Sequence, residues 1–520
     1  MKRILQPGRN VWSMEGVERA DLLIDGREYY RALYHAALKA ENYILLAGWQ
    51  FDSNERLLRG EDCEEGEDTR LLPFLDRLCE RNERLRIYIL AWDYSPIYFL
   101  SREWLQEWLV NWKTNERLQF RFDNRHPVGA SHHQKFAVID GRIGFVGGLD
   151  LCCGRWDDRG HLPNDPLRVN SDGKPYDPFH DVQARIVGPA AWSLTDHFRA
   201  RWHAAFGEEL DLPEPSRKAE EAGIDPPYRI EATQAAISRT QGSTLASSED
   251  SIKEILRLYL DAIASAEKLI YMENQYLSSK DVHDALISRM KEEGRGKLQI
   301  VVILQRHPSS FFEEVALGIA QSRNLKSLKE TALQTGHSVG VYYPASKADD
   351  GSDVPTYIHA KFLLVDDRFL TVGSANASNR SMGLDSELNV SFEAASSDES
   401  ALIDSIRRIR VTLLAEHTGM TDEEELKELE NVEGLVQFLD LAALDDSSRL
   451  RSHPMETPLE QNPVVKAALP EDLDLDPSEP VFEESAFEMF SPKGSGFFAG
   501  GIAVLKQWIT GREKKEGRAE

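Results

Sequence analysis

The sequence predicts a mixed α/β protein built from two copies of one unit. Three observations carry this reading. The pattern H-x-K-x4-D occurs twice, its flanks stay in register at a single offset of 226 residues, and each copy alternates helix-like with strand-like stretches. The two occurrences are His133-Gln-Lys135-Phe-Ala-Val-Ile-Asp140 and His359-Ala-Lys361-Phe-Leu-Leu-Val-Asp366. Val146 and Gly147 match Val372 and Gly373, Asp150 falls opposite Asn376, and far upstream Ala40-Glu41 matches Ala266-Glu267. A repeat of that length is domain-sized, so it describes a duplicated domain and not a solenoid. The two motif strands are expected to meet along a pseudo-twofold axis.

Each element can be justified in order. Gly26 to Glu41 and Ser251 to Glu267 have helical periodicity, the second through Ile252, Ile255, Leu256, Leu258, Tyr259 and Ile263. Each helix runs into a short apolar strand, 43–47 or 269–272, and a further strand follows at 85–90 and 298–304. Within the motif strand, His and Lys at i and i+2 share a face. Phe136 and Val138, or Phe362 and Leu364, take the other. The lobes are read as residues 1–210 and 211–415, with 416–520 an acidic, proline-containing extension.

Composition bounds the function. The chain has 520 residues, 41% of them hydrophobic, and carries a net charge of −26 from 61 basic and 87 acidic side chains. That is enough apolar material for two or three packed domains. Its apolar runs fall short of the roughly 18–20 residues that a membrane span needs. Met1-Lys2-Arg3 is followed by Gln6-Pro7-Gly8 and no apolar stretch, so no secretion signal is expected. Cys63, Cys79, Cys152 and Cys153 form neither a disulfide framework nor a zinc spacing. The expectation is a reduced, cytoplasmic protein able to work at a membrane surface, with no general affinity for nucleic acid. The acidity is uneven: residues after 390 hold 28 acidic and 13 basic side chains. Thr421 to Glu430 reads as an exposed acidic helix, and 453–495, with seven prolines, as extended or disordered linker. Gly496 to Ile509 has the composition of an interfacial helix, with Phe497, Phe498, Trp508 and a basic end, although docking on the core or disorder is the commoner fate of such a segment.

Two histidines and two lysines aimed into one cleft make a phosphate site. Lysine neutralises phosphoryl oxygens, while histidine serves as nucleophile or proton donor near neutral pH. One histidine can attack phosphorus while the other protonates the leaving oxygen, and water or an alcohol then opens the phosphohistidine. This chemistry calls for no metal and no cofactor. Trp49, Trp92, Tyr94, Trp156, Tyr276 and Phe311-Phe312 are read as core aromatics, with a lipid entrance as the alternative, and Cys152-Cys153 as packing.

These motifs, with Gly147-Gly-Leu-Asp-Leu-Cys152, Gly154-Arg-Trp-Asp157, His180-Asp181-Val-Gln-Ala-Arg-Ile-Val-Gly188-Pro-Ala, Glu273-Asn-Gln-Tyr276 and Gly373-Ser-Ala-Asn376, resemble the phospholipase D superfamily and most of all its eukaryotic-type branch. The resemblance runs from about residue 30 to 415. It implies a phospholipase D-like α/β/α sandwich of two lobes with the active site between them. It further implies His133 as nucleophile and His359 as general acid, then base, with Lys135, Lys361 and Asn376 on the phosphate. Asp181 and Glu387 become candidates to orient the histidines, since a carboxylate behind an imidazole fixes its tautomer. Asp140 and Asp366, at the strand-to-turn edge, are open to a catalytic or a structural role. Asp150 would repel phosphate and is given no binding role.

The implied activity is hydrolysis of a glycerophospholipid to phosphatidic acid and free head group. A phosphatidyltransferase like the cardiolipin and phosphatidylserine synthases is the alternative, weakened because cardiolipin synthases usually carry N-terminal membrane helices. A nucleic-acid phosphodiesterase is disfavoured by the acidity and by two motifs in one chain. A non-catalytic scaffold is disfavoured because both motifs are intact. Both motifs in one chain allow a complete site in a monomer.

Overall fold

The computed structural model describes residues 3–93, 114–127, 129–215, 228–243, 251–307, 317–455 and 476–479. Tyr94, Phe311, Phe312 and the segment 496–509 lie outside the described residues. Tyr43–Gly48 and Leu269–Asn274, each buried at every position, lie within two large sheets. Such uninterrupted burial belongs to strands covered on both faces, which explains their continuous apolar runs.

The first sheet runs Tyr228–Ile230, Arg19–Ile24, Val182–Val187, Ile143–Gly147, Phe136–Ile139, Tyr43–Gly48, Arg86–Trp92, Leu118–Asp123. Within the second, the order Gln234–Gln241, Glu387–Glu393, Phe369–Gly373, Lys361–Val365, Leu269–Asn274, Gln299–Leu304, Ser338–Lys347 repeats the last seven of these strands one for one. Pairing directions repeat as well. The strand at 43–48 is parallel to 86–92 and antiparallel to 136–139, as 269–274 is to 299–304 and 361–365.

Helices Asp25–Ala37 and Leu71–Arg81 cover the outer face of the first sheet. Glu254–Ser265, Lys280–Lys291 and Ile319–Thr335 cover that of the second. The inner faces share one core with helices Pro189–Phe206 and Ser400–Thr418, in which Val138, Trp202, Phe362, Leu364 and Leu413 are fully buried. Both inner helices stop at a glycine in the left-handed conformation, Gly207 (φ 70°) and Gly419 (φ 77°), where a side chain would be strained.

The expected division at residue 210 does not separate the sheets. Ser13–Gly16 from the N-terminal segment pairs with Gln234–Gln241 in the second sheet, and Tyr228–Ile230 returns to pair with Arg19–Ile24 in the first. The two lobes therefore exchange an edge strand, which ties them more closely than a linker would. Part of the acidic extension packs on this core. Helices Glu423–Glu430 and Leu435–Ala442 bury Leu429, Leu435 and Leu439 in the shared core, and Leu450–Ser452 adds a strand to Ser338–Lys347. Within the stretch read as linker, Asp476 is buried and accepts hydrogen bonds from Ser278 Oγ and from the backbone N–H groups of Asn379 and Arg380.

Candidate active site

The two motifs meet at the junction of the lobes, where His132 bridges to Ser386 and Tyr357–Ile358 pairs with Phe179–His180. His133 and His359 each precede a central strand, and each is fixed by the opposite lobe. The backbone N–H of His133 donates to Ser386 O at 2.9 Å, and that of His359 to His180 O at 2.8 Å. Residues 386 and 180 are the immediate neighbours of the two candidate carboxylates. Glu387 then reaches His133 Nδ1, with both carboxylate oxygens at 3.1 Å, and Asp181 Oδ2 lies 2.6 Å from His359 Nδ1. Each histidine is thus backed by a carboxylate belonging to the other motif's lobe, which leaves both Nε2 atoms for substrate.

The carboxylates are themselves held. Glu387 accepts from Ser374 Oγ at 2.5 Å and Ser381 Oγ at 2.7 Å, and Asp181 from Val182 N at 2.7 Å. Gly148 makes room for Asp181: a Cβ there would sit 2.4 Å from both carboxylate oxygens. Burial pushes Asp181 and Glu387 each up to about 7. Both histidines are held well below their usual value, His133 by burial and then by Lys135 and Lys361, His359 by burial and then by Lys361, Arg155 and Lys135. An imidazole kept neutral has a free electron pair, as a nucleophile requires. A bound phosphodiester anion would restore the balance and favour a proton on the partner histidine.

The lysines differ from one another. Lys135 Nζ donates to His133 O at 3.0 Å and pairs with Asp150 at 3.3 Å. Lys361 Nζ donates to His359 O at 2.5 Å and to the neutral Gln275 Oε1 at 3.1 Å. Asp150, which breaks the repeat symmetry, therefore sits on a lysine and not on the phosphate. Its other oxygen accepts from Trp49 N at 2.8 Å. Lys361 is fully buried, and burial lowers it to about 7. Asn376 Oδ1 is buried without a hydrogen-bond partner, and it is the NH2 group of this amide that could donate to a phosphate oxygen.

Sequence reasoning overlooked the role of three side chains. Arg155 adds a third cation, its guanidinium stacked over Phe179 at 4.9 Å, and that ring lies 5.3 Å from His359. Gln275 links Lys361 to the Tyr357 hydroxyl, and Ser374 anchors Glu387. Arg155 and Gln275 stand within motifs already quoted, but only their neighbours in space give them a task. Trp156, Tyr276 and Trp92 are buried, and Trp49 stacks on Trp92 at 5.5 Å. Cys152 is buried and Cys153 half-buried, with burial pushing both thiols up, away from redox chemistry.

Asp140 and Asp366 sit at the far end of the motif strands from the histidines, where backbone donors take up their carboxylates. Asp140 accepts from the backbone N–H groups of Glu41, Asn42 and Tyr43 at 2.7–2.8 Å, and Asp366 from those of Glu267, Lys268 and Leu269 at the same distances. Both close the turn into the central strand, with φ of 50° and 54°. Replacing either by Ala should cost about 1–3 kcal/mol in denaturant unfolding, by stranding backbone donors, while kcat of the folded fraction stays within a factor of a few. A folded Asp140→Ala protein with no activity would overturn the structural assignment.

The sequence matches the family described as "Phospholipase D" over residues 36–285 and that described as "Cardiolipin synthase, PLD-like domain" over 259–406. The chain belongs to the phospholipase D superfamily. Its relatives include phospholipase D alpha 1 of Ricinus communis, 24% identical over 519 residues that cover 75% of this chain and 64% of the relative. Phospholipase D alpha 2 of Oryza sativa subsp. japonica is 25% identical, with 76% of this chain and 65% of the relative covered. The chain thus spans just under two thirds of these curated relatives. Among solved structures, phosphatidylserine synthase of Haemophilus influenzae Rd KW20 superposes with a TM-score of 0.51 at 13% identity, over 84% of this chain and 96% of that one. That likeness establishes the shared phospholipase D fold. Among the described residues no helix is long and apolar enough to cross a membrane.

Proposed function

We propose that this member of the phospholipase D superfamily hydrolyses glycerophospholipids to phosphatidic acid and a free head group through a phosphohistidine on His133. The observation that supports this best is the reciprocal geometry: the part-buried His133 and the buried His359, each held at Nδ1 by a carboxylate of the other lobe, lie beside two buried lysines. Lys135, Lys361 and Asn376 would bind the phosphodiester. His133 Nε2 would attack phosphorus as the bond to the head-group oxygen breaks, and His359 would supply the proton that oxygen takes up. Water would then attack phosphorus, giving its proton to His359 while the P–N bond breaks. The buried cations and amide donors would offset the developing charge on the phosphoryl oxygens.

A second reading, transfer of the phosphatidyl group to an alcohol, draws on the match of residues 259–406 to the cardiolipin synthase model. It differs only in the second step, where an alcohol takes the place of water. Liposomes of several head groups, assayed with and without a primary alcohol, distinguish the two. Phosphatidic acid without added alcohol is the result expected for the hydrolase. Product formed only when alcohol is present would assign the transferase, and cleavage of DNA with no action on lipid would overturn the substrate class.

A further inference from the structure

Behind the His359–Asp181 pair lies a second cluster that the proposed reaction does not use. Asp25, His161, His180 and Glu416 are all buried, and each offers one ligand atom within 4.8 Å of the other three. His180 Nδ1 lies 2.9 Å from Asp25 Oδ1 and 2.8 Å from Glu416 Oε1. His161 Nε2 lies 3.1 Å from Glu416 Oε1 and 3.4 Å from Asp25 Oδ2. Four ligands arranged tetrahedrally at about 2.0–2.1 Å from a zinc ion would stand roughly 3.3 Å apart, and these histidine–carboxylate separations of 2.8–3.4 Å bracket that spacing.

We propose that Asp25, His161, His180 and Glu416 bind one divalent transition metal of the zinc class, as a closed clamp between the two lobes. Three further observations support this. His180 Nδ1 and Asp25 Oδ2 have no hydrogen-bond partner of acceptable geometry although both are buried. Asp25 and His161 hold φ of 64° and 43°, a strained conformation for side-chain-bearing residues and one that tends to persist at functional sites. Each histidine also turns its remaining ring nitrogen to a second carboxylate: His161 Nδ1 to Asp157 at 2.9 Å, and His180 Nε2 to Glu273 at 2.8 Å. That carboxylate–histidine arrangement fixes the tautomer that presents the other nitrogen to a metal.

Charge agrees with the geometry. Asp25, Asp157, Glu273 and Glu416 bring four negative charges into the cluster. Arg168, on Asp157 at 3.1 Å, and Arg159, on Glu416 Oε2 at 2.5 Å, return two. With His161, His180 and His417, whose Nε2 lies 2.9 Å from Glu273, all neutral, a divalent cation closes the difference. Two nitrogen and two oxygen ligands favour zinc-class ions over Ca2+ or Mg2+, which take oxygen. Four protein ligands without an open position mark a structural site and not a catalytic one. Asp25, His161 and His180 precede the second lobe, whereas Glu416 ends its helix Ser400–Thr418, so an ion here would fasten the lobes together.

The test measures metal content of the full chain, purified without metal-affinity media, by elemental analysis after gel filtration. About one zinc-class ion per chain is expected. Stripping it with a chelator should lower the melting temperature by roughly 5 °C or more, and Zn2+ should restore it. Co2+ added to stripped protein should give the visible absorption of a tetrahedral site. Glu416→Gln and His161→Ala should lose the ion, while His133→Ala and His359→Ala should keep it. A wild-type chain that holds no stoichiometric ion, and neither takes up nor is stabilised by Zn2+ or Co2+, would overturn the proposal: two protonated histidines would then balance the charge. An ion kept by the first two variants and lost by the second two would overturn it as well.

Discussion

His133→Ala should lower phospholipid turnover by about four orders of magnitude or more, because it removes the atom that forms the bond to phosphorus. His359→Ala should lose roughly 10²–10⁴-fold through loss of proton transfer. The two losses differ in kind. With a phosphodiester whose leaving group needs no proton, such as a p-nitrophenyl ester, His359→Ala should still release a burst of nitrophenol and then stall as phosphoenzyme. His133→Ala should give no burst. Rapid-mixing assays read both outcomes directly. A burst from His133→Ala with none from His359→Ala would exchange the two roles, and full turnover in both would refute the covalent route.

Glu387→Gln should cost roughly a hundredfold or more in kcat/KM, since an amide behind His133 no longer favours the tautomer that frees Nε2. The pH profile adds a sharper mark. Burial raises Glu387 to about 7, so its charge is present above that pH and lost below it. Burial lowers Lys361 to about 7, so its charge is present below that pH and lost above it. Wild-type kcat/KM should therefore follow a narrow bell centred near neutrality, with Asp181 and Glu387 both shaping its acid limb. Glu387→Gln should make that limb shallower, leaving the Asp181 step, without moving the alkaline one. Lys361→Met should do the reverse on whatever activity survives. An unchanged acid limb in Glu387→Gln would remove this carboxylate from the mechanism.

Much of the framework was legible without coordinates because duplication writes itself into the chain. The helices at 25–37 and 254–265 and the strands at 43–48 and 269–274 fall where periodicity put them, to within a few residues at their ends. The helices bury one face every 3.6 residues and the strands are short continuous apolar runs, and both patterns are local. Edges behave otherwise. Ser13–Gly16 and Tyr228–Ile230 are four- and three-residue strands whose sheet is chosen by the neighbour they meet, and nothing in their own composition names it.

By itself, then, the sequence determined that this protein has two copies of one α/β unit, each carrying a histidine and a lysine ahead of a buried strand. Tertiary structure alone decided how those copies serve each other. Glu387 lies 254 residues from His133 and Asp181 lies 178 from His359, and no spacing rule spans such distances. Only the packing of one lobe on the other sets each carboxylate behind the opposite imidazole. The same holds for Asp140 and Asp366. Their place at the end of each motif suggests chemistry, but the turn they close takes up their oxygens with backbone N–H groups, and a carboxylate so engaged has little left to offer a substrate.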